Sequence, residues 1–141
     1  MWKRPHEIFK GKFALFEEGI HPNDIEQGIL GNWYFLSALS ALAEFPEQIK
    51  KIFVDKDIKV NGFYIVKFIL GGEEYPFRID DHIPYDLKKN KPAFSQSKGN
   101  ELWVMLLEKA WAKINGNYEN SIKGFVSEAF RALTGAPVVF F

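Results

Sequence analysis

At 141 residues the chain has the length of a single domain and can bury about two-thirds of its unfolded surface. Apolar residues make up 47% of it, with 14 phenylalanines, which excludes a disordered chain. Lys plus Arg and Asp plus Glu both number 18, so a zero net charge offers nothing to nucleic acid or an anionic membrane, and the absence of cysteine removes disulfides, thiolate metal sites and thiol nucleophiles.

The opening "MWKRPHEIFKGKF" lacks the apolar core of a secretory signal. No apolar run approaches the roughly 20 residues of a membrane span, so a soluble, cytoplasmic protein is expected. Up to Asn23 the chain reads as loop-rich packing, punctuated by Gly11, Gly19 and Pro22. Asn32 is a good N-cap for a helix over Trp33–Glu44. That helix is apolar on nearly every face, through Trp33, Tyr34, Phe35, Leu36, Leu39 and Leu42, and is expected to be the buried central helix. Pro46 opens a short helix, "PEQIKKIFV".

The period then changes. "FYIVKFIL" is rich in β-branched and aromatic residues, and "GGEE" follows as a turn. "YPFRID" alternates, with Tyr75, Phe77 and Ile79 on one face and Pro76, Arg78 and Asp80 on the other. Pro76 makes it an edge strand, and the two strands predict an antiparallel hairpin. "YDLKKNKPAFSQSKGN" reads as a polar loop. Asn100 caps a helix over "ELWVMLLEKAWAKI", whose Trp103, Leu107, Ala110, Trp111 and Ile114 form one stripe and which Asn115-Gly116 ends. A last helix over Val126–Leu133 places Val126, Ala129, Phe130 and Leu133 at helical spacing, with Gly135 as its C-cap and Pro137 beyond. The ending "APVVFF" reads as a strand cut short, as in a fragment.

Chemistry concentrates in "QGILGNWYFLSALSALAEF", Gln27 to Phe45. A helix N-terminus gathers unpaired N–H groups and positive dipole potential, which stabilise a thiolate or an oxyanion. An upstream side-chain amide can donate to the oxyanion. Gln27, Gly28 and Gly31 before an apolar helix therefore suit a cysteine-nucleophile site, although the spacing unaided favours a glycine-rich loop that feeds a core helix.

"QGILGNWYFLSAL" resembles the active-site segment of the calpain family, Q-G-x-L-G-D-C-W-F-L-A-A. "WKRPHEI" resembles the start of the calpain protease core, and "RIDDHIPYD" its V-D-D-x-L-P segment. "GNELWVMLLEKAWAKINGNYEN" is similar to G-x-E-F-W-x-x-L-L-E-K-A-Y-A-K-x-x-G-x-Y-E, and "SEAFRALTGAP" to S-E-G-F-x-D-F-T-G-G. Five ordered blocks cover the whole chain. The resemblance implies an α+β fold, one lobe of a papain-like cysteine protease: a buried central helix, packed helices and a small antiparallel sheet. More narrowly, it implies that residues 1–141 are the first calpain core subdomain, which carries the cysteine and the oxyanion glutamine. The second subdomain of the family supplies histidine and asparagine.

Residue by residue, Gln27 matches the oxyanion-hole glutamine. Asn32 replaces the aspartate, Trp33 the nucleophilic cysteine and Tyr34 the tryptophan that follows it. Indole offers one N–H and cannot become a nucleophile; its bulk is expected to plug the cleft. His6, His21 and His82 lie outside the family's histidine position and read as surface or packing residues. Ser37 and Ser40, inside the helix, read as small packing residues rather than substitute nucleophiles.

Calpain cores bind calcium in each subdomain. The resemblance assigns the first site to the backbone carbonyls of Glu17 and Gly19 and the carboxylates of Asp24 and Glu101, an oxygen donor set that suits calcium. Asp24 with Gln27 also fits a capping box, and Glu101 also suits the first turn of a helix. Asp80 and Asp81 are adjacent on a strand, point to opposite faces and are read as structural.

The function implied is that of a calpain-like domain, related to calcium-dependent cysteine endopeptidases but not hydrolysing peptides as it stands. A calcium-responsive or protein-binding module is expected, its partner a second protease subdomain or a protein or peptide. The alternatives are half of a protease completed by another chain, and an interaction domain that has lost both catalysis and calcium.

Overall fold

A computed structural model of the chain describes residues 1–16, 20, 22, 25–26, 33–97, 99–118 and 124–136. In chain order its elements are β1 (Trp2–Lys3), α1 (Pro5–Ile8), β2 (Ile25–Glu26), α2 (Trp33–Ala43), α3 (Pro46–Ile52), β3 (Phe63–Leu70), β4 (Glu73–Asp80), β5 (Ile83–Asp86), β6 (Lys91–Pro92), β7 (Gln96–Ser97), α4 (Trp103–Ile114) and α5 (Val126–Thr134). Among the described residues the strands form three small antiparallel sheets, ordered β1-β5-β6, β2-β7 and β3-β4, and with the helices they make an α+β fold.

The hairpin is tighter than the sequence suggests. Gly71 and Gly72 both have positive φ, 61° and 83°, and Leu70 pairs directly with Glu73. A two-residue turn with left-handed residues matches the twist of the flanking strands, so Glu73 and Glu74 belong to β4 rather than to the turn. Tyr64 opposite Ile79, and Val66 opposite Phe77, face the core, while Phe63, Ile65 and Tyr75 are exposed.

α2 is largely buried, as expected, and α4 shares the centre with it: α4 is buried on nearly every face, Glu108 included. α2 buries Tyr34, Phe35, Leu36, Leu39 and Leu42 but leaves Trp33, Ser37 and Ala41 exposed, one stripe at helical spacing. Trp111 of α4 joins the layers. Its ring stacks on Phe35 of α2 at 5.1 Å and 15°, and lies 5.9 Å from Phe68 of β3. α5 packs on α2 and β3. It ends at Gly135, in the left-handed conformation with φ 77°, whose N–H donates to the carbonyl of Arg131, as a C-cap glycine does.

Asn100 does not cap α4. Its side-chain amide donates to the carbonyl of Lys12 at 3.0 Å, and its own carbonyl accepts the N–H of Ala14. Leu102 N–H returns to the Ala14 carbonyl, so Glu101 sits in a parallel bridge with Ala14, and the helix begins at Trp103. The 85–100 stretch is not a bare loop either, since it holds the end of β5 together with β6 and β7.

The N-terminal stretch is similarly more ordered than expected. Met1 carbonyl accepts from Tyr85 N–H, β1 pairs with β5, and Pro5 opens α1 at a position where its missing N–H costs nothing. The Arg4 guanidinium grips the buried Asp81 through Nε to Oδ1 at 2.9 Å and Nη2 to Oδ2 at 3.2 Å. This fork ties the start of the chain to the exit of the hairpin. The expected cap Asn32 and the strand expected at the end of the chain, residues 137–141 of it, lie outside the described residues.

Candidate functional site

The first turn of α2 projects one side chain into solvent. Trp33 is 61% exposed, whereas Tyr34, Phe35 and Leu36 are all buried. Of this first turn, Trp33 alone is exposed. The reason is helical geometry: the residues that follow turn toward α4 and α5 and reach the core there.

Beside Trp33 lies a cavity of about 370 Å³ lined by Ile25, Trp33, Leu36, Ser37 and Ser40. Trp33 forms part of its wall and is not driven into the core. Ser37 is exposed and Ser40 half-buried, so both face the cleft instead of packing the interior. Among the described residues the lining offers two hydroxyls and an indole, with no carboxylate, imidazole or amine. Such a surface can seat an apolar or hydroxyl-bearing chain, but it supplies no base that would activate either serine. Gln27, at the oxyanion-hole position, and Asn32 lie outside the described residues, as do Gly28 and Gly31.

Tyr34 anchors this turn. Its hydroxyl accepts the Trp111 indole N–H at 2.8 Å in a buried contact. Burial pushes the Tyr34 hydroxyl above the ordinary tyrosine value; the Trp111 bond pulls it partly back, and Glu128 adds to the rise. Tyr34 is thus protonated at neutral pH and serves as a strut. Gly124 makes room for it, since a Cβ there would sit 2.7 Å from two of its ring atoms.

Of the four residues that the resemblance gives to calcium, Glu101 is described; Glu17, Gly19 and Asp24 lie outside the described residues. Glu101 is 3% exposed and its backbone is clamped on both sides. Ala14 holds it in the parallel bridge, and Ser97 Oγ donates to its carbonyl at 3.3 Å. Ser97 is itself the partner of Ile25 in the β2-β7 pair. Described residues on either side of the 17–24 segment are therefore both held beside Glu101. A buried carboxylate on a clamped backbone is a sound ligand for a hard cation, and carbonyl and carboxylate oxygens are the donors calcium takes. Glu101 lies ahead of α4, so the reading of it as a first-turn helix residue is set aside. No cluster of three acidic or histidine side chains occurs among the described residues.

Asp80 and Asp81 diverge, as their alternation requires. Asp81 turns inward to Arg4, while Asp80 takes the ammonium of Lys109 and the N–H of His82. Burial alone would raise the Asp80 carboxyl, but the bonds from Lys109 and His82 hold it below the usual carboxylate range. His82 lies 3.3 Å from Asp80, and His6 is exposed on α1; His21 lies outside the described residues.

Two polar features escaped the reading of the sequence. Glu108 is buried in α4 and accepts the N–H of Ser95 at 2.9 Å. Its signal was an acid set inside the apolar run "VMLLEKAW". The Arg4–Asp81 fork spans 77 positions and leaves no local pattern.

The family model for calpain family cysteine proteases matches residues 1–141. The chain is 41% identical over 140 residues to a calpain-type cysteine protease, DEK1, of Arabidopsis thaliana, covering 95% of this chain and 6% of that protein. It is 38% identical over 143 residues to Calpain-5 of Caenorhabditis elegans, covering 96% and 22%. It is 37% identical over 138 residues to the Calpain-1 catalytic subunit of Sus scrofa, covering 95% and 19%. The chain thus spans between about a twentieth and a quarter of the length of these relatives. No helix among the described residues is long and apolar enough to cross a membrane.

Proposed function

The chain belongs to the calpain family of cysteine proteases, and from that premise we propose that it is a non-catalytic calpain-like lobe acting as a calcium-responsive or protein-binding module. One observation carries this reading. The position of the family's nucleophile is held by Trp33, which stands exposed at the mouth of the α2 cleft in a chain with no cysteine. An indole nitrogen donates a hydrogen bond, and its lone pair is delocalised in the ring and cannot attack a carbonyl. Gln27, matched to the oxyanion-hole position, would retain a donor for a bound carbonyl without any group to react with it.

What the cleft can do is bind. Trp33 with Leu36 and Ile25 presents an apolar rim, and Ser37 and Ser40 add two hydroxyls. Exposed aromatic side chains beside polar groups are the common anchors of protein contacts. The partner that fits is a second protease subdomain or a protein or peptide segment laid across the exposed stripe of α2. A cytoplasmic setting suits such a module.

The calpain family is calcium-regulated in general. For this chain we assign the ligands to Glu17, Gly19, Asp24 and Glu101, supported by the clamped, buried Glu101 and by the tethering of Ala14 and Ile25 beside it. Bound calcium would supply charge compensation between two acidic side chains. The residues of this chain would supply the oxygen donors and hold the segment before α2 against the segment before α4.

The test is hydrolysis of a fluorogenic peptide by the chain alone and mixed with a matching second calpain subdomain, each with calcium. The expected result is no turnover in either case. Turnover by the mixture that disappears in Gln27→Ala would overturn the reading and favour a protease completed by another chain.

A further inference from the structure

A second cavity, about 700 Å³, opens between α4, β4 and the N-terminal strand, and shares no described lining residue with the α2 cleft. Its walls are aromatic: Trp2, Phe63 and Tyr118. Ile79 and Ala112, both buried, form its floor.

The charges around it are unequal. Three cations, Arg78, Lys109 and Lys113, face a single carboxylate, Asp80. Asp80 is already occupied by Lys109, which also donates to the carbonyl of His82 at 2.6 Å. Arg78 and Lys113 have no carboxylate partner among the described residues. Both are nevertheless held in place. The Arg78 guanidinium lies 4.1 Å from the centre of the Phe63 ring, and the Lys113 ammonium donates to the Arg78 carbonyl.

An apolar cavity of a few hundred cubic ångströms with a small number of convergent charges is what a small-ligand site consists of. Here the charges are two positioned cations and the apolar surface is three rings. We propose that this cavity binds a small aromatic carboxylate, its carboxylate on the Arg78 fork and the Lys113 ammonium, its ring among Trp2, Phe63 and Tyr118. A guanidinium takes a carboxylate through two parallel hydrogen bonds, and indole and phenol faces pack a ring at offset-stacked or edge distances. The same chemistry is offered by a free acid and by the C-terminal aromatic residue of a peptide.

Isothermal titration of the full chain decides it, with N-acetylphenylalanine as probe, its C-terminal amide as the uncharged control, and glycylglycylphenylalanine as the peptide end. The acid should bind, and the amide should bind at least about tenfold more weakly, because it forfeits a charge-assisted pair of hydrogen bonds. Arg78→Ala and Lys113→Ala should each weaken the acid by about tenfold. Lys67→Ala, the same charge change elsewhere on the hairpin, should leave binding unaltered. Tighter binding of the tripeptide than of the acid identifies a peptide end as the ligand; equal or weaker binding identifies a free acid. The proposal fails if acid and amide bind alike, if millimolar acid gives no heat, or if Arg78→Ala and Lys113→Ala bind as the parent does. Should Arg78→Ala lower the thermal midpoint, Arg78→Gln, which keeps the stem over Phe63 without the charge, carries the test in its place.

Discussion

The indole N–H of Trp111 donates to the hydroxyl of Tyr34 at 2.8 Å, so the residue next to the lost nucleophile is bonded to α4. Both rings are buried, and Trp111 also stacks on Phe35. Tyr34→Phe keeps the ring and removes the acceptor, and should cost about 1–2 kcal/mol in urea unfolding. Trp111→Phe should cost more, because it also gives up stacking area. The double variant should cost less than the sum, since the shared bond is removed only once. Strict additivity would show that the contact contributes nothing.

Gly62 and Gly71 both have left-handed backbones, with φ 73° and 61°, but different surroundings. At Gly71 a Cβ would meet nothing within 4 Å, so Gly71→Ala should cost only the backbone term, about 1 kcal/mol. At Gly62 a Cβ would lie 2.6 Å from Arg4 Nη2 and 2.8 Å from Asp81 Oδ1. Gly62→Ala must also displace the fork that holds the N-terminus to the hairpin, and should be clearly the less stable variant. Equal midpoints for the two would mean that the fork moves aside freely.

How much of this was legible in the sequence follows from the range of the forces involved. The hairpin, α3, α5 and the Gly135 cap are set by local periodicity and by glycine, and they stand where the sequence places them, with shifts of a residue or two. The Asn100 cap did not survive, because a pairing with Ala14, far away in sequence, claims its backbone. Both α2 and α4 are apolar enough to be buried, and only the tertiary arrangement decides which one keeps an exposed stripe. The Trp33 substitution was readable directly, since the position is fixed by the family pattern around it. The cavity beside Arg78 was not, because its lining comes from β1, β3, β4, α4 and the turn after α4, which meet only in the fold.

Three tyrosines set the alkaline limit of stability. Burial pushes the hydroxyls of Tyr34, Tyr64 and Tyr118 above the ordinary value in each case; Glu108 and Asp80 add to the rise at Tyr118. In the unfolded chain these groups lose their protons near pH 10. Above that pH the unfolded state binds fewer protons than the folded state, so stability is present in full below about pH 10 and is lost as pH rises through the folded values. Lys56, lowered mainly by burial, acts with the opposite sign in the window just below its ordinary value of 10.5. With three groups against one, the thermal midpoint should fall steeply above about pH 10. At the acid end Asp80 has a lowered carboxyl, so its contribution is present above its ordinary value of 3.8 and disappears as pH drops through the folded value. A midpoint that stays flat from neutral pH to beyond pH 11, or about there, would contradict the burial of these hydroxyls.

Trp33 and Phe35 are two residues apart on α2, one 61% and the other 0% exposed. Trp33→Ala should therefore change stability by less than about 1 kcal/mol, whereas Phe35→Ala should cost about 3–5 kcal/mol. Trp33→Cys should fold, react with iodoacetamide and still fail to hydrolyse a peptide, because among the described residues no imidazole or carboxylate lines the cleft to act as base. Peptide turnover by Trp33→Cys alone would show that the cleft contains a base after all.

The calcium assignment makes the sharpest demand on Glu101. If Glu101 and Asp24 ligate one ion, two acidic groups must converge on it. Binding to the native state then raises stability by RT ln(1 + [L]/Kd), about 2.7 kcal/mol at a hundredfold excess of calcium over Kd. Glu101→Gln and Asp24→Asn keep the shape and remove the charge, and each should abolish most of the gain. Asp80→Asn should not, since its carboxylate is paired with Lys109. In the absence of calcium Glu101→Gln should differ from the parent by less than it does in calcium. That calcium-dependent difference separates a ligand from a residue that merely holds the Ala14 bridge, which would lose stability equally under both conditions. The measurement is the thermal midpoint of the four proteins in calcium and in chelator. An identical midpoint for the parent in both, at millimolar calcium, would reject the site.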